Sequence, residues 1–269
     1  MKHVLSAIPL LASISAWADM PVLATDITAN QKIITFGYSN ISLTQDYETS
    51  IDSEVIDTNA NTKSLEVILT GESNGKTMPV LSVNISNIAT DDGTTDVNNY
   101  DLYAGFALEK GSKKHLLLIT YDGSSESYLQ NAYGIMGIFK ATASEHTQSE
   151  YELIVDLELK DAADDFSGGH SAGVSLNSKL PLSNQIHLVS KAGLSIETDT
   201  EYSNGVSKSA GPALSAEIAL SIQPQTNMEI TAGIGSYLQH FQYYDANGRY
   251  ALKETRTGIG FALDFNIAL

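Results

Sequence analysis

Hydrophobic and polar residues alternate with a period of two along most of this chain. The last segment shows the pattern best, because large apolar residues occupy every odd position from Ile259 to Leu269. The even positions, from Gly258 to Ala268, carry glycine, alanine or a short polar residue. Successive side chains of a β-strand point to opposite faces. The segment is therefore predicted to be a strand whose two faces meet different environments.

The same alternation recurs along the chain and predicts an all-β protein of about twelve strands. The connections between the strands are alternately short and long, and they are rich in Gly, Asn, Asp and Pro, as turns require. Ten strands are the alternative, with the 63–89 stretch as a plug or an extracellular hairpin. The predicted strands span residues 31–43, 63–71, 77–89, 98–109, 114–122, 128–141, 149–160, 170–180, 185–197, 208–222, 227–243 and 251–269.

The N-terminus has the features of an export signal. Lys2 precedes an almost wholly apolar stretch, and Ala16-Trp17-Ala18 supplies a small-x-small cleavage pattern. This arrangement predicts a secretory signal peptide at residues 1–18, cleaved after Ala18. Residues 19–30 are predicted to be a periplasmic N-terminal segment, either free or a partial plug. Beyond the signal, the longest wholly apolar run is Leu116–Ile119, which is too short for a membrane-spanning helix.

Composition excludes several classes of protein. The 269 residues contain no cysteine, so a disulfide scaffold and a cysteine-ligated zinc site are impossible. Fifteen Lys and Arg stand against 32 Asp and Glu, which gives a formal net charge of −17. Nucleic-acid binding is not predicted, since it depends on basic charge facing phosphate. No cofactor and no metal site are predicted, because the acidic loops lack the spacing of a calcium-binding loop.

The export signal, the short-turn and long-loop rhythm and the terminal strand together resemble a porin-like bacterial outer-membrane β-barrel over residues 31–269. Such barrels usually end in an aromatic residue, whereas this chain ends at Leu269 with Phe265 and Phe261 further in. The resemblance implies a transmembrane antiparallel up-and-down barrel in a Gram-negative outer membrane. It also implies contact with outer-membrane lipid, lipopolysaccharide and the barrel-assembly machinery. A secreted soluble β-sandwich is the alternative, although the faces opposite the apolar rows are rich in Gly, Ala and Ser.

In a barrel, the apolar rows face lipid and the opposite rows line the lumen. The residues predicted to face lipid in the last strand are Ile259, Phe261, Leu263, Phe265, Ile267 and Leu269. The acids predicted to point inward are Glu66, Asp101, Glu109, Glu152, Asp156, Glu158, Glu197, Glu217, Glu229, Glu254 and Asp264. The inward bases are Lys160, Lys179, Lys191 and Arg256, while the face of Lys140 is open. Glu254 and Arg256 share a face and are predicted to pair.

The excess of inward acids leads to the functional hypotheses. Rings of Asp or Glu favour the passage of cations. The first hypothesis is therefore a narrow channel with an acidic, weakly cation-preferring lumen that passes small cationic or neutral solutes. The second is a closed structural or surface-interaction barrel, because acids and bases could pair and fill a narrow interior.

The third hypothesis is an outer-membrane enzyme. Residues 169–173 match the Gly-x-Ser-x-Gly pattern of serine hydrolases, but no helical pattern follows them, as the nucleophile elbow requires. In the strand register, His170 faces lipid and Ser171 faces the lumen, so the two cannot pair. The His-x-Ser and Asp-x-His spacings of outer-membrane phospholipases and omptin-type proteases do not occur. No catalytic residue and no enzymatic activity are predicted.

Overall fold

The computed structural model describes residues 26–49, 53–91, 96–110, 113–125, 131–142, 149–162, 168–197, 200–201, 206–209 and 211–269. The predicted signal peptide and residues 19–25 lie outside the described residues. Among the residues that the structure describes, no helix has the length and apolarity needed to cross a membrane.

The described residues form twelve long strands and two strands of two residues each. The long strands are β1 (Lys32–Glu48), β2 (Ser53–Thr70), β3 (Thr77–Thr90), β4 (Asp96–Lys110), β5 (Lys113–Ser124), β6 (Ala132–Thr142), β7 (Glu150–Lys160), β8 (Gly169–Pro181), β9 (Ile186–Glu197), β12 (Gly211–Gln225), β13 (Met228–Tyr244) and β14 (Tyr250–Ala268). The short strands are β10 (Thr200–Glu201) and β11 (Ser207–Lys208).

The long strands close into an antiparallel barrel. Each pairs with its neighbour in the chain, except that β9 pairs with β12 across the β10–β11 hairpin. The last strand, β14, pairs with both β13 and β1, from Ile33 opposite Ala268 to Glu48 opposite Lys253. Closure leaves no long strand with an unpaired edge, which is the condition for a sheet to cross a bilayer. The all-β, twelve-strand prediction is confirmed, and closure excludes the sandwich.

The two faces of the barrel wall differ as the alternation predicts. Large apolar side chains cover the outside, with Ile259 71 %, Ile119 67 % and Ile234 63 % exposed. On the terminal strand, Phe261, Leu263 and Leu269 are also exposed, and Phe265 and Ile267 are half-buried on the same face. The inner face is mostly polar and buried. Segment 63–89 belongs to β2 and β3, so the ten-strand alternative is wrong.

The structure corrects one connection. Residues 45–62 are predicted to be a long loop, but most of them extend β1 and β2. The outward side chains there are polar and bond across the hairpin, with Ser42 donating to Asn59 at 2.7 Å and Thr44 donating to Asp57 at 2.7 Å. Because the outward and inward faces both carry polar residues, no hydrophobic alternation marks these strand ends. The hairpin therefore rises beyond the apolar belt of the barrel.

The segment before β1, the C-terminal residue Leu269 and the shorter turns lie at one end of the barrel, which we call the periplasmic end because outer-membrane barrels have short periplasmic turns. The opposite, extracellular end carries the longer connections. One of these, residues 245–249, is held by Asp245, whose carboxylate accepts the backbone N–H groups of Arg249 and Asn247 at 2.9 Å. These bonds stabilise the ionised form and lower the pKa of Asp245. Gly248, with φ of 72°, supplies the left-handed position of this turn.

Candidate functional site: the barrel lumen

Residues that are paired on neighbouring strands form one oblique row of mostly polar side chains along the inner wall. On β1 and β14, Thr35 donates a hydrogen bond to Asn266 at 2.6 Å, and on β3 and β4 Asn84 donates to Asp101 at 2.8 Å. Because the strands of a closed barrel are staggered, the row passes from near the periplasmic end to near the extracellular end. Its members, in order, are Glu229, Asn266, Thr35, Glu66, Asn84, Asp101, Asp122, Ala132 and Lys160.

An ion-pair layer closes around Arg256 towards the extracellular end. Its guanidinium bonds both carboxylate oxygens of Glu254, at 2.5 and 3.1 Å, and both side chains are fully buried. The predicted pair is therefore confirmed. Phe241 lies against the same guanidinium, 4.7 Å from the ring centroid to Cζ. Gln45 and Tyr243 also donate to Glu254, at 3.2 and 2.5 Å, so this buried carboxylate is fully satisfied.

Phe241 also contacts Lys208, which enters the lumen from β11. Its ammonium lies 4.2 Å from the Phe241 ring centroid and 3.0 Å from Glu197. Lys160 approaches the same carboxylate at 3.4 Å. Glu197 is thus held between two lysines. The sequence interpretation did not place Lys208 in the lumen, because it marks the start of a strand after a polar loop.

A second ion-pair layer lies at the periplasmic end and includes the N-terminal segment. Asp26 bonds Lys140 at 2.5 Å and Lys179 at 3.5 Å. Lys140 also pairs with Glu150 at 2.8 Å, and Lys179 with Glu229 at 3.5 Å. These contacts settle the face of Lys140, which is inward. They join β6, β7, β8 and β13 to the chain just before β1.

Ile27, next to Asp26, is buried inside the same mouth. It is 1 % exposed and packs in an apolar cluster of inward side chains, and its carbonyl oxygen accepts a hydrogen bond from the Lys114 ammonium. We call Asp26 and Ile27 the N-terminal latch. The other buried members of the cluster are Ile33, Ile68, Met78, Val80, Ala107, Leu116, Leu118 and Ile138.

The latch explains the apolar run at the start of β5. Leu117 and Ile119 face outward, whereas Leu116 and Leu118 belong to the cluster around Ile27. Because both faces of β5 are apolar at these positions, hydrophobic and polar residues do not alternate there. The predicted strand, 114–122, consequently ended two residues before β5 does, and Asp122 was not counted among the inward acids, although it pairs with Asp101 on the inner wall.

A third set of acids lies between the two layers. None of them forms an ion pair with the described residues. Glu66 lies within electrostatic reach of Asp264 and Asp101, and Asp101 and Asp122 lie within reach of Glu158. The base that acts on both Glu66 and Asp264 is Lys191, which already pairs with Glu217 at 3.9 Å. We call these acids the central carboxylates: Glu66, Asp101, Asp122, Asp156, Glu158 and Asp264.

The predicted lumen residues thus fall into different settings. Glu197, Glu217, Glu229 and Glu254 are ion-paired, as are Lys160, Lys179, Lys191 and Arg256. Glu66, Asp101, Asp156, Glu158 and Asp264 are central carboxylates. Glu152 is fully buried on the inner face of β7, opposite Lys140 and Asn177. Glu109 lies at the periplasmic rim, where it accepts a hydrogen bond from Ser73.

The hydrolase-like segment is part of β8, and the next element is strand β9. His170 is exposed on the outer face, and Ser171 points inward and donates to Glu158 at 2.7 Å. Another serine and histidine, Ser221 and His187, face each other across β12 and β9. Ser221 donates instead to Glu229, and His187 Nδ1 has no partner within the described part of the chain, so these two residues form no Ser–His–acid relay there. Among the described residues, no group of three or more His, Asp or Glu is placed to hold a metal ion.

Solved structures of bacterial outer-membrane proteins share this architecture. An outer-membrane channel from Pseudomonas putida F1 has a TM-score of 0.68 at 9 % identity, over 93 % of this chain and 100 % of that chain. The translocator domain of the autotransporter NalP from Neisseria meningitidis has a TM-score of 0.47 at 11 % identity, over 94 % and 93 % of the two chains. The NanC porin has a TM-score of 0.44 at 10 % identity, over 82 % and 98 %.

No protein-family model and no curated protein sequence matches the chain. The similarity to the Pseudomonas putida channel shows the fold alone, because the sequences share only 9 % of their residues. The fold is therefore that of a bacterial outer-membrane β-barrel.

Proposed function

We propose that this protein is an outer-membrane channel for small cationic or neutral solutes, with the N-terminal latch at its periplasmic mouth. The signal peptide at residues 1–18 would direct the chain to the bacterial outer membrane, where lipid and lipopolysaccharide surround the apolar belt. The protein acts by passive conduction, without catalysis and without a cofactor. The channel-like fold and the chemistry of the lumen support this proposal.

The observation that carries the proposal is the unequal neutralisation of lumen charge. The lysines and the arginine lie mainly in the two layers near the ends, each beside an acid. The central carboxylates have no such partners among the described residues. Acidic side chains that line a pore attract cations and repel anions.

In this proposal, the channel conducts only when the latch leaves the periplasmic mouth. Asp26 and Ile27 occupy the periplasmic mouth through two ion pairs and an apolar contact, and all of these are non-covalent. Withdrawal of the two residues would remove Ile27 from the apolar cluster and leave Lys140 and Lys179 paired with Glu150 and Glu229 only. We infer that the open state requires this withdrawal.

A closed structural barrel is the second candidate function. The observation that favours it is the complete burial of Ile27 at one end and of Glu254 and Arg256 at the other. In that case the latch would be a permanent part of the core, and the extracellular connections would carry any interaction with partners.

Electrical recording separates the two candidates. The mature chain is refolded in detergent, its heat-dependent gel shift is checked, and single-channel current is measured across a KCl gradient. We expect rare openings of the wild-type chain, frequent openings of Ile27→Asp, and a cation-selective reversal potential in both. Glu54→Gln, an exposed substitution far from the mouth, is the control and should open like the wild type.

Two results would overturn the proposal. Folded wild-type and Ile27→Asp proteins that both fail to conduct would show a closed barrel. Openings that prefer anions would contradict the role of the central carboxylates. In a conducting protein, replacing Glu217 and Glu229 by lysine should lower or reverse the cation preference, because these carboxylates also face the lumen.

A further inference from the structure

The periplasmic mouth has an apolar side and a polar side, although the interior of an outer-membrane barrel is usually polar. Strands β1 to β6 turn apolar side chains inward there, and these side chains form the buried cluster around Ile27. On the opposite strands, β8, β9, β12 and β13, the inward side chains nearest the mouth include Lys179, His187, Ser221 and Glu229. Apolar and charged surfaces therefore lie side by side at this end of the lumen.

Three ammonium groups converge on the two residues of the latch. Lys140 and Lys179 contact the carboxylate of Asp26 at 2.5 and 3.5 Å, and Lys114 donates a hydrogen bond to the carbonyl oxygen of Ile27. The Ile27 side chain fills the space on the apolar side and is 1 % exposed. The Asp26 side chain is 33 % exposed, so solvent reaches the polar side of the mouth. The mouth thus holds a carboxylate next to a branched apolar group.

The latch reaches this position from a turn that is fixed to the wall. Thr70, at the end of β2, accepts the backbone N–H of Gln31 at 2.8 Å and donates to the carbonyl oxygen of Thr28 at 2.5 Å. The backbone N–H of Asn30 donates to Gly71 at 3.1 Å, and Asn30 has a φ of 56°, a left-handed conformation that asparagine tolerates. Asp26 and Ile27 precede this turn, so they can leave the mouth while the turn stays bound to β2.

A vacated mouth is unfavourable. Lys114 would lose the carbonyl oxygen of Ile27, and Lys140 and Lys179 would each lose one carboxylate contact. The apolar cluster would also face water, which costs free energy. A free molecule with the chemistry of the latch would restore both kinds of contact. Because it binds only the vacated mouth, it would shift the barrel towards that state.

We propose that the periplasmic mouth is a binding site for a small amphiphilic carboxylate, in which an acidic group lies beside a branched apolar chain. The latch is the intramolecular occupant of this site, and the free ligand displaces it. The inference rests on the proposed function in one respect, namely that the vacated mouth is the open state of the channel. It adds a ligand that opens the channel from the periplasmic side.

Calorimetric titration of the refolded mature chain with N-acetyl-Asp-Ile-amide tests the site without requiring conduction. This peptide carries the carboxylate, the apolar chain and the carbonyl groups of the latch. Asp26→Asn weakens the latch and leaves the lysines and the apolar cluster in place. A larger fraction of the protein then has a vacated mouth, so the apparent affinity should rise by about tenfold. An affinity that stays the same or falls, or no saturable binding to either protein, would overturn the proposal.

A lysine variant separates the site from the latch. Lys179→Met, added to Asp26→Asn, removes a contact to the carboxylate of the ligand and should weaken peptide binding by about tenfold relative to Asp26→Asn alone. Lys253→Met, added to Asp26→Asn in the same way, breaks an exposed ion pair at the opposite end and should leave the affinity unchanged. The heat-dependent gel shift confirms folding of each variant. Equal affinities of the two double variants would overturn the assignment.

Two altered peptides test the two sides of the mouth in the Asp26→Asn protein. N-acetyl-Asn-Ile-amide lacks the charge, and N-acetyl-Asp-Gly-amide lacks the apolar chain. Each should bind about tenfold more weakly or worse, because one loses charge-assisted contacts and the other loses apolar burial. Equal affinities of the three peptides would contradict recognition of an amphiphilic carboxylate.

The two proposals fail separately. Binding that Asp26→Asn strengthens, in a folded barrel that never conducts, would remove the channel and keep the site. Conduction without saturable peptide binding would keep the channel and remove the site. Where both hold, peptide added on the periplasmic side should raise the open probability of the wild-type chain.

Discussion

The inward carboxylates of this barrel form two groups that differ in their surroundings. Glu197, Glu229 and Glu254 lie in layers near the two ends, and each contacts a lysine or arginine within 4 Å. The central carboxylates lie between the layers without ion pairs among the described residues. The first group links residues of the inner wall to one another, because paired charges satisfy one another. In the proposed channel, the second group is the part of the wall that would act on passing solutes, because it has no lysine or arginine beside it.

The largest expected difference between the groups is in stability. Arg256→Met leaves Glu254 buried without its charge partner and should lower the free energy of unfolding by about 3–5 kcal/mol. Glu66→Gln replaces a buried carboxyl group that has no ion-pair partner among the described residues, and it should leave stability unchanged or increase it. Urea titration of the protein folded into lipid vesicles measures both. Equal losses of stability in the two variants would show that the two groups do not differ. Adding Glu254→Gln to Arg256→Met should recover part of the lost stability.

A second test compares the two faces of one strand. Leu263 points outward and is 40 % exposed, and its neighbour Asp264 points inward. Leu263→Lys should cost about 2–4 kcal/mol if the residue lies near the bilayer midplane. Asp264→Asn should have little effect on assembly. The folded fraction after refolding into vesicles is read from the gel shift, and normal assembly of Leu263→Lys would contradict the lipid-facing assignment.

The third test acts on the periplasmic layer alone. Asp26→Asn weakens two ion pairs of the latch but keeps Ile27 in its apolar cluster. We expect the open probability to rise by about tenfold, equivalent to about 1.4 kcal/mol, because the latch loses charge-assisted contacts only. Single-channel recording provides the measurement. Lys253→Met, which removes an exposed ion pair with Glu48 at the opposite end, should not change gating.

The smallest expected effect concerns ion selectivity. Replacing Lys191 by Met and Glu217 by Gln removes an ion pair without changing the net charge of the lumen. This double substitution should leave the cation-to-anion permeability ratio unchanged. Asp101→Asn removes one central carboxylate and should lower that ratio by about twofold, less at high salt, because the solvent screens lumen charge. Reversal potentials in a KCl gradient measure both. A larger change from the paired unit than from Asp101→Asn would invert the comparison.

Particular residues show why part of the site escaped prediction. The face of Glu254 and Arg256 follows from their spacing on one strand, so their pairing could be predicted. Lys208 could not be placed, because a residue beside a polar loop has no alternation to assign its face. Asp122 was missed because Leu116 and Leu118 face an internal apolar cluster, which removes the contrast between the two faces of β5.

The sequence by itself determined the all-β class, the approximate number of strands and the face of most strand residues. These properties follow from local alternation, because neighbouring side chains on a strand point to opposite sides. Only the tertiary structure decided which inward charges meet. Glu197 and Lys208, Asp26 and Lys179, and Glu66 and Asn84 come together through barrel closure and strand stagger. Those contacts join distant parts of the chain, so no local pattern records whether a carboxylate is paired or left free.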